Sequence, residues 1–210
     1  MKPKITLIMP VYNQEVLVVK ALDSMPIAKD IQYIIIDDGS TDESWKRIID
    51  WHSKNRENIH KSSLILRKEN GGIASVMNMG FTLAEGEYIV SLSSDDYYVT
   101  DFEKFRPYLD GQNDMVYFDL EINDGTIWEV NEETKAYMVG AVKFMRREFL
   151  GDTRVPDMKY CEDKPFSEQL YAKNPKEVFT GIVLKHYNYP REGSLSWQYR
   201  QDLKDGKTEM

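Results

Sequence analysis

Four short apolar runs in the first 92 residues, each ending in a polar cluster, dictate most of what this chain can become. Residues 5–11 read Ile-Thr-Leu-Ile-Met-Pro-Val, and residues 31–36 read Ile-Gln-Tyr-Ile-Ile-Ile. Residues 63–67 and 88–92 repeat the pattern as Ser-Leu-Ile-Leu-Arg and Tyr-Ile-Val-Ser-Leu. Runs of this length without regular polar alternation suit strands covered on both faces, as in a parallel sheet. The intervening segments carry helical spacing instead. Val16, Val19, Ala21, Leu22 and Met25 mark one face of a helix over 14–25. Trp45, Ile48, Ile49 and His52 continue a helix that starts near Thr41-Asp42-Glu43-Ser44, with Ser40 or Thr41 as its cap. Ala74, Met77 and Phe81 face inward from a helix over 73–84. Strands alternating with helices imply right-handed crossovers, hence an α/β fold with a mostly parallel central sheet flanked by helices.

Beyond residue 100 the pattern weakens. The spacing predicts a helix over 101–109 and a strand over 115–120, with Asp124-Gly125 turning a hairpin into 126–130. A helix over 141–150, a loop with Pro156, a helix over 162–173 and a strand over 178–184 follow. From about residue 200 the tail is polar and expected to be frayed or loosely docked. No Gly/Ser-rich linker divides the chain, so residues 1–210 are expected to form one domain. At 41% hydrophobic and 12% aromatic, that domain has ample material for a core.

Composition also excludes functions. With 27 Lys+Arg against 35 Asp+Glu, the net charge of −8 argues against a general polyanion binder. Cys161 is the single cysteine, which rules out an internal disulfide framework and a multi-cysteine zinc site. Its neighbours Glu162 and Asp163 would suppress a thiolate. No apolar run approaches the roughly 18 residues a membrane span needs. The apolar stretch after Met1-Lys2-Pro3-Lys4 is too short for a signal peptide, so a cytoplasmic location is expected.

Ligands of open α/β sheets bind at the carboxyl ends of the strands. Four polar clusters fall there: residues 10–13, 37–40, 69–72 and 93–96. Adjacent aspartates at a strand end repel unless a cation or a donor offsets them, so Asp95 and Asp96 suggest Mg2+ or Mn2+. Asp38 could accept from a base N–H or a sugar hydroxyl. The spacing alone suggests a nucleoside-diphosphate site, without the glycine-rich fingerprint of dinucleotide or P-loop proteins. Plainer roles stand beside these. Asp37-Asp38 could be a turn and cap, Asp95-Asp96 a strand-ending turn, Glu162-Asp163 a helix-terminal charge pair and Arg191 a surface residue. His52 and His60 read as surface residues. His186 divides between a strand end and a phosphate contact, and Tyr97-Tyr98, Trp197 and Tyr199 between acceptor stacking and rim packing.

The ordered set resembles the family 2 glycosyltransferases of GT-A fold. The matching strings are Pro10-Val11-Tyr12-Asn13, Asp37-Asp38-Gly39-Ser40-Thr41-Asp42, Asn70-Gly71-Gly72 with Asn78, Ser94-Asp95-Asp96, Glu162-Asp163 and Arg191-Glu192-Gly193-Ser194. They span about residues 4–197 in the family's order. The resemblance implies a Rossmann-like nucleotide-binding half over 1–98, an acceptor and catalytic half over 99–200, and a polar tail over 201–210. It implies that Pro10, Val11 and Tyr12 hold a uracil face and that Asp38 bonds its edge. Asn70, Gly72 and Asn78 would line the nucleotide pocket, and Ser94 and Glu162 would also bind substrate. Asp95 and Asp96 would bind Mn2+ or Mg2+, and Asp95 also the ribose. Asp163 would be the catalytic base, preceded by Glu162. Arg191, with His186 and Ser194, would sit on a loop closing over the diphosphate.

Two positions depart from the pattern. Ser93 replaces the first aspartate commonly found at the metal element, and Met77 replaces an arginine often found before Asn78, a loss that Arg67 or Lys68 could offset. The implied reaction is an inverting transfer from a UDP-sugar to an acceptor hydroxyl on a glycan, a lipid-linked oligosaccharide or a wall polymer. A degenerate nucleotide-sugar-binding homologue and a nucleotidyltransferase are the alternatives. The acidic balance disfavours a DNA acceptor unless Lys185, Arg191 and Arg200 gather into a patch. For this family the chain is short and lacks the usual C-terminal membrane-associating helices. A second copy or a partner subunit is therefore expected to supply acceptor contacts.

Overall fold

The computed structural model describes residues 2–135 and 142–207. Their strands join one curled sheet of nine, in the order β3-β2-β1-β4-β8-β6-β9-β5, with β7 hanging on β6. Its first half is the predicted parallel layer: β1 (Ile5–Val11), β2 (Ile31–Asp37), β3 (Leu64–Arg67) and β4 (Tyr88–Ser91). β1 pairs β2 from Ile5↔Ile31 to Val11↔Asp37 on one side and β4 from Ile5↔Tyr88 on the other. Three helices make the crossovers: α1 (Leu17–Ser24), α2 (Ser44–Asn55) and α3 (Gly72–Leu83). Every residue of β2 is buried, which is why its sequence shows no alternation. Burial of each large aliphatic side chain in this layer contributes about 1.5–3 kcal/mol. The polar interruptions are matched to each other. Thr6 Oγ1 donates to Gln32 Oε1 at 2.7 Å, and Gln32 Nε2 donates to the Ser62 and Leu83 carbonyls.

The second half differs from expectation in informative places. The predicted helix over 141–150 is instead the strand β8 (Lys143–Arg146) followed by one helical turn, α4 (Arg147–Leu150). Residue 141 itself lies outside the described residues. β8 runs antiparallel between β4 and β6 (Met115–Ile122), a slot that requires extended backbone whatever the local spacing. The predicted helix over 101–109 is two 3-10 turns, Phe102–Lys104 and Arg106–Tyr108. Pro107 lacks the N–H a continuous α-helix would use. The hairpin at Asp124-Gly125 forms, with β7 (Ile127–Trp128) returning on β6. Two-residue β5 (Tyr97–Tyr98) was not anticipated. β9 (Glu177–Tyr187) is longer than the predicted 178–184 and pairs parallel to β6 and antiparallel to β5. α5 (Asp163–Tyr171) falls inside the predicted helix over 162–173. The tail is not merely frayed: α6 (Leu195–Lys204) is capped by Ser194, whose Oγ accepts from the Trp197 N–H. Among the described residues no helix is long and apolar enough to cross a membrane.

Candidate active site

The parallel pairings bring the carboxyl ends of β1, β2, β3 and β4 to one edge of the sheet. β6 and β9 point the same way, so their last residues reach that edge too. β8 runs the other way and therefore starts there, at Lys143. All four clusters predicted from the strand ends thus share an edge, joined by residues from the second half.

On the β1/β2 side, short polar side chains zip two loops together. Asn13 donates its N–H to Ser40 Oγ and accepts the Thr41 N–H at 2.8 Å, and the Gln14 N–H donates to Ser44 Oγ. Tyr12 stands out of this loop, 48% exposed, above buried Val11 and half-buried Pro10. Asp38, 4% exposed, organises the neighbouring loop. Its carboxylate accepts from the Gly71 N–H at 3.0 Å, the Gly72 N–H at 2.8 Å and Lys68 Nζ at 2.5 Å. That knot explains the Asp-Gly and Gly-Gly sequences. Gly39 has φ +78°, and a Cβ there would stand 3.0 Å from the Asn70 backbone nitrogen. Gly72 also has positive φ, which lets its N–H turn toward Asp38 as α3 begins. Asn70 is exposed beside the knot. Asn78 is used differently from expectation. Its side-chain amide donates to the Val155 carbonyl at 2.8 Å and accepts the Val155 N–H at 2.9 Å. It pins α3 to the loop after α4.

On the β4 side, Ser94 is buried and the two aspartates part company. Asp95 Oδ2 lies 2.6 Å from Arg191 Nη2, and both side chains are 21% exposed. Asp96 is 2% exposed, accepts the Asn188 N–H at 3.0 Å and lies 3.1 Å from Lys185 Nζ, which is itself buried. Burial pushes the Asp96 carboxyl up, Lys185 opposes that, and Asp95 reinforces it. Arg191 Nε is buried and makes no hydrogen bond among the described residues. It is a donor left over beside Asp95. His186 serves the strand end: its ring stacks on Tyr97 at 4.5 Å and Nε2 lies 3.0 Å from Asn123 Oδ1. Ser194 caps α6 and donates to the Arg191 carbonyl. Tyr98 is buried against Phe102, so it belongs to the core rather than the rim.

Glu162 and Asp163 open α5. Burial raises both carboxyls; the Asp163 charge adds to the rise at Glu162, while Lys143 opposes it at Asp163. α5 packs on α3 through the stacked rings of Phe166 and Phe81, 5.6 Å apart. Lys143 Nζ lies 3.3 Å from Ser167 Oγ, one turn beyond Asp163 on α5. A carboxylate held above its usual pKa is suited to taking a proton. Lys143 and Asn188 were not among the predicted site residues. Lys143 left one signal, a lone charge within the apolar run 141–145.

The geometry constrains any metal. Among the described residues no three carboxylate, histidine or cysteine side chains cluster as a ready cage. Asp96 is held by Lys185 and Asn188, which leaves Asp95 as the accessible carboxylate of the pair. One carboxylate suffices for a divalent ion that takes its other ligands from substrate phosphates and water. Asp95 would therefore be the residue to hold such an ion, which would supply positive charge beside a bound diphosphate.

Residues 6–162 match the family described as Glycosyl transferase family 2. The chain is 28% identical over 90% of its length to a poly(ribitol-phosphate) beta-glucosyltransferase of Bacillus spizizenii, covering 33% of that protein. It is 25% identical over 92% of its length to the glycosyltransferase GlyA of Streptococcus pneumoniae, covering 31% of it. The chain thus spans about a third of the length of these curated relatives. Staphylococcus aureus TarS 1–349, solved with UDP-GlcNAc, superposes with a TM-score of 0.76 at 21% identity, over 92% of this chain and 60% of that one. A mannosyltransferase of Pyrobaculum calidifontis, solved with GDP-Man and Mn2+, superposes with a TM-score of 0.71 at 18% identity, over all of this chain and 66% of that one. With a GT-A fold and a family match over three quarters of its length, this chain belongs to glycosyl transferase family 2.

Proposed function

We propose that the chain transfers a sugar from a UDP-sugar to an acceptor hydroxyl with inversion at the anomeric carbon. The observation that carries this is the contact of Arg191, from the loop after β9, with Asp95, from the loop after β4. It sets a cation with a spare buried donor and an accessible carboxylate at the sheet edge where Asp38 and Tyr12 also lie. The base stacks on Tyr12 and reads the Asp38 edge. Asp38 already holds the 68–72 loop, so it shares its oxygens between loop and base. The Arg191 guanidinium turns from Asp95 to the diphosphate and stabilises the charge that builds on the leaving group. Mn2+ or Mg2+ held by Asp95 would supply further charge neutralisation there. Asp163 takes the proton of the acceptor hydroxyl while that oxygen attacks the anomeric carbon. The bond from that carbon to the β-phosphate oxygen breaks, and UDP departs with the electron pair. One base suffices for such a single displacement, so no protein nucleophile is needed. The acceptor class, a glycan or wall polymer, and any partner that presents it are part of the same proposal. The B. spizizenii relative, named for a poly(ribitol-phosphate) acceptor, supports a wall polymer over DNA.

Thermal melting in a panel of nucleotide sugars with Mn2+ tests the donor. A ligand that binds only the native state raises the melting temperature by mass action. UDP-sugars are expected to do so, and GDP-, CMP- and ADP-sugars are not. A panel in which no UDP species shifts the melt would overturn the donor assignment.

A further inference from the structure

A lysine inside a strand is costly unless its charge is answered. Lys143 is 3% exposed and opens β8, at the sheet edge that carries the candidate site. From β6, the Tyr117 ring faces its ammonium, 5.8 Å from ring centre to Nζ. From α5, Ser167 Oγ lies 3.3 Å from Nζ. From β9, Glu177 contributes a negative field, as Asp163 does from α5. Glu177 is shared, however: Tyr117 donates its hydroxyl to Oε1 at 2.7 Å and Lys135 Nζ lies 2.5 Å from Oε2. Asp163 precedes Ser167 by four residues, which puts both on one face of α5. The carboxylate least committed elsewhere, and on the helix face that Lys143 touches, is therefore Asp163.

We propose that Lys143 is a positioning residue for the base: tethered to Ser167, it orients the Asp163 carboxylate and favours its anionic form. This rests on the reading of Asp163 as the proton acceptor. Burial raises the Asp163 carboxyl and so disfavours its anionic form, and the Lys143 charge opposes that rise. A cation in direct contact would make it too weak a base. Lys143 touches Ser167, one helical turn along α5 from Asp163, and its charge acts on that carboxylate from there. Burial lowers its own ammonium to about 8, against the pull of Asp163 and Glu177, so it stays largely charged at neutral pH.

The test is a carbon-13 NMR titration of the full chain labelled at aspartate carboxyl carbons, with the Asp163 signal identified by its loss in Asp163→Asn. In Lys143→Met the Asp163 midpoint should rise by about one pH unit or more. In Lys143→Arg, which restores a cation, it should return toward the wild-type value. An unchanged midpoint in a folded Lys143→Met protein overturns the proposal. If that variant does not fold, Ser167→Ala is read instead. There the cation is present but untethered, and a smaller rise is expected, while none contradicts the proposal. The base reading is tested apart from this. Asp163→Asn should abolish UDP-sugar hydrolysis and sugar transfer, and full activity there would remove Asp163 as the base without altering the measured link to Lys143.

Discussion

Arg191 Nη2 and Asp95 Oδ2 meet at 2.6 Å across 96 residues of chain, and their contact ties the loop after β9 to the loop after β4. A single, partly exposed pair of this kind contributes modestly to stability, on the order of 1 kcal/mol. Its value lies in what each partner can exchange for the other: the arginine for a phosphate, the carboxylate for a cation. Asp95→Ala should therefore melt within a few degrees of the wild type. It should also lose the Mn2+-dependent part of UDP binding, a drop of about tenfold or more. Calorimetric titration of UDP with and without Mn2+ measures this directly, and an undiminished metal effect would exclude Asp95 as the metal's carboxylate.

The neighbouring pair behaves in the opposite way. Asp96 and Lys185 are both buried, so removing one partner strands the other. Lys185→Met should cost about 3–5 kcal/mol at neutral pH. The pH dependence has a definite sign. Burial already holds the Asp96 carboxyl above its ordinary value, so the folded state binds this proton more readily than the unfolded chain. Its contribution is fully present below the ordinary carboxylate range and is lost as pH rises through the raised folded value. Without Lys185 that value climbs further, so the variant's deficit should shrink on acidification. Adding Asp96→Asn to Lys185→Met should recover most of the lost stability. Urea melts from pH 5 to pH 8 check both statements, and a deficit independent of pH contradicts them.

Asn78 separates a binding role from an architectural one. Its amide exchanges two hydrogen bonds with the Val155 backbone. Asn78→Ala leaves those groups without their partner, a cost of about 1–3 kcal/mol. Affinity for UDP should change less than twofold to threefold. A large loss of nucleotide affinity at unchanged stability would return Asn78 to the pocket.

The same carboxyl shifts bear on catalysis. Burial raises Asp163 above the usual range, Lys143 notwithstanding. The anionic form needed to accept a proton then declines as pH falls through that raised value. Transfer should show an acid limb above the ordinary aspartate range, with nucleotide binding less affected over the same interval. Asp163→Asn should remove transfer and leave UDP affinity within a few fold. A pH profile flat down to the ordinary aspartate value would count against Asp163 as the group that titrates.

How legible this was in the sequence depended on the scale of the forces involved. β1, β2 and β4 are fully buried or nearly so, and burial on both faces writes an unbroken apolar run that any reader can find. The polar clusters at their ends were equally visible, because the parallel topology leaves the carboxyl edge as the natural seat for a ligand. β8 was misread because its four residues owe their conformation to β4 and β6 on either side and not to their own propensities. β5 is two residues long and exists through its pairing with β9. The split between Asp95 and Asp96 was invisible for a related reason. Two adjacent aspartates look alike in sequence, and what parts them is a lysine 89 positions after Asp96 that only the folded sheet brings alongside.

The central claim is that the carboxyl edge grips a uridine diphosphate through Arg191 and Asp95. Calorimetric titration of UDP in Mn2+ into the wild type, Arg191→Ala and Asp95→Ala tests it most directly. The account predicts one site per chain in the wild type and a loss of about tenfold or more in each variant. No binding to the wild type, or equal affinity in all three proteins, would contradict it.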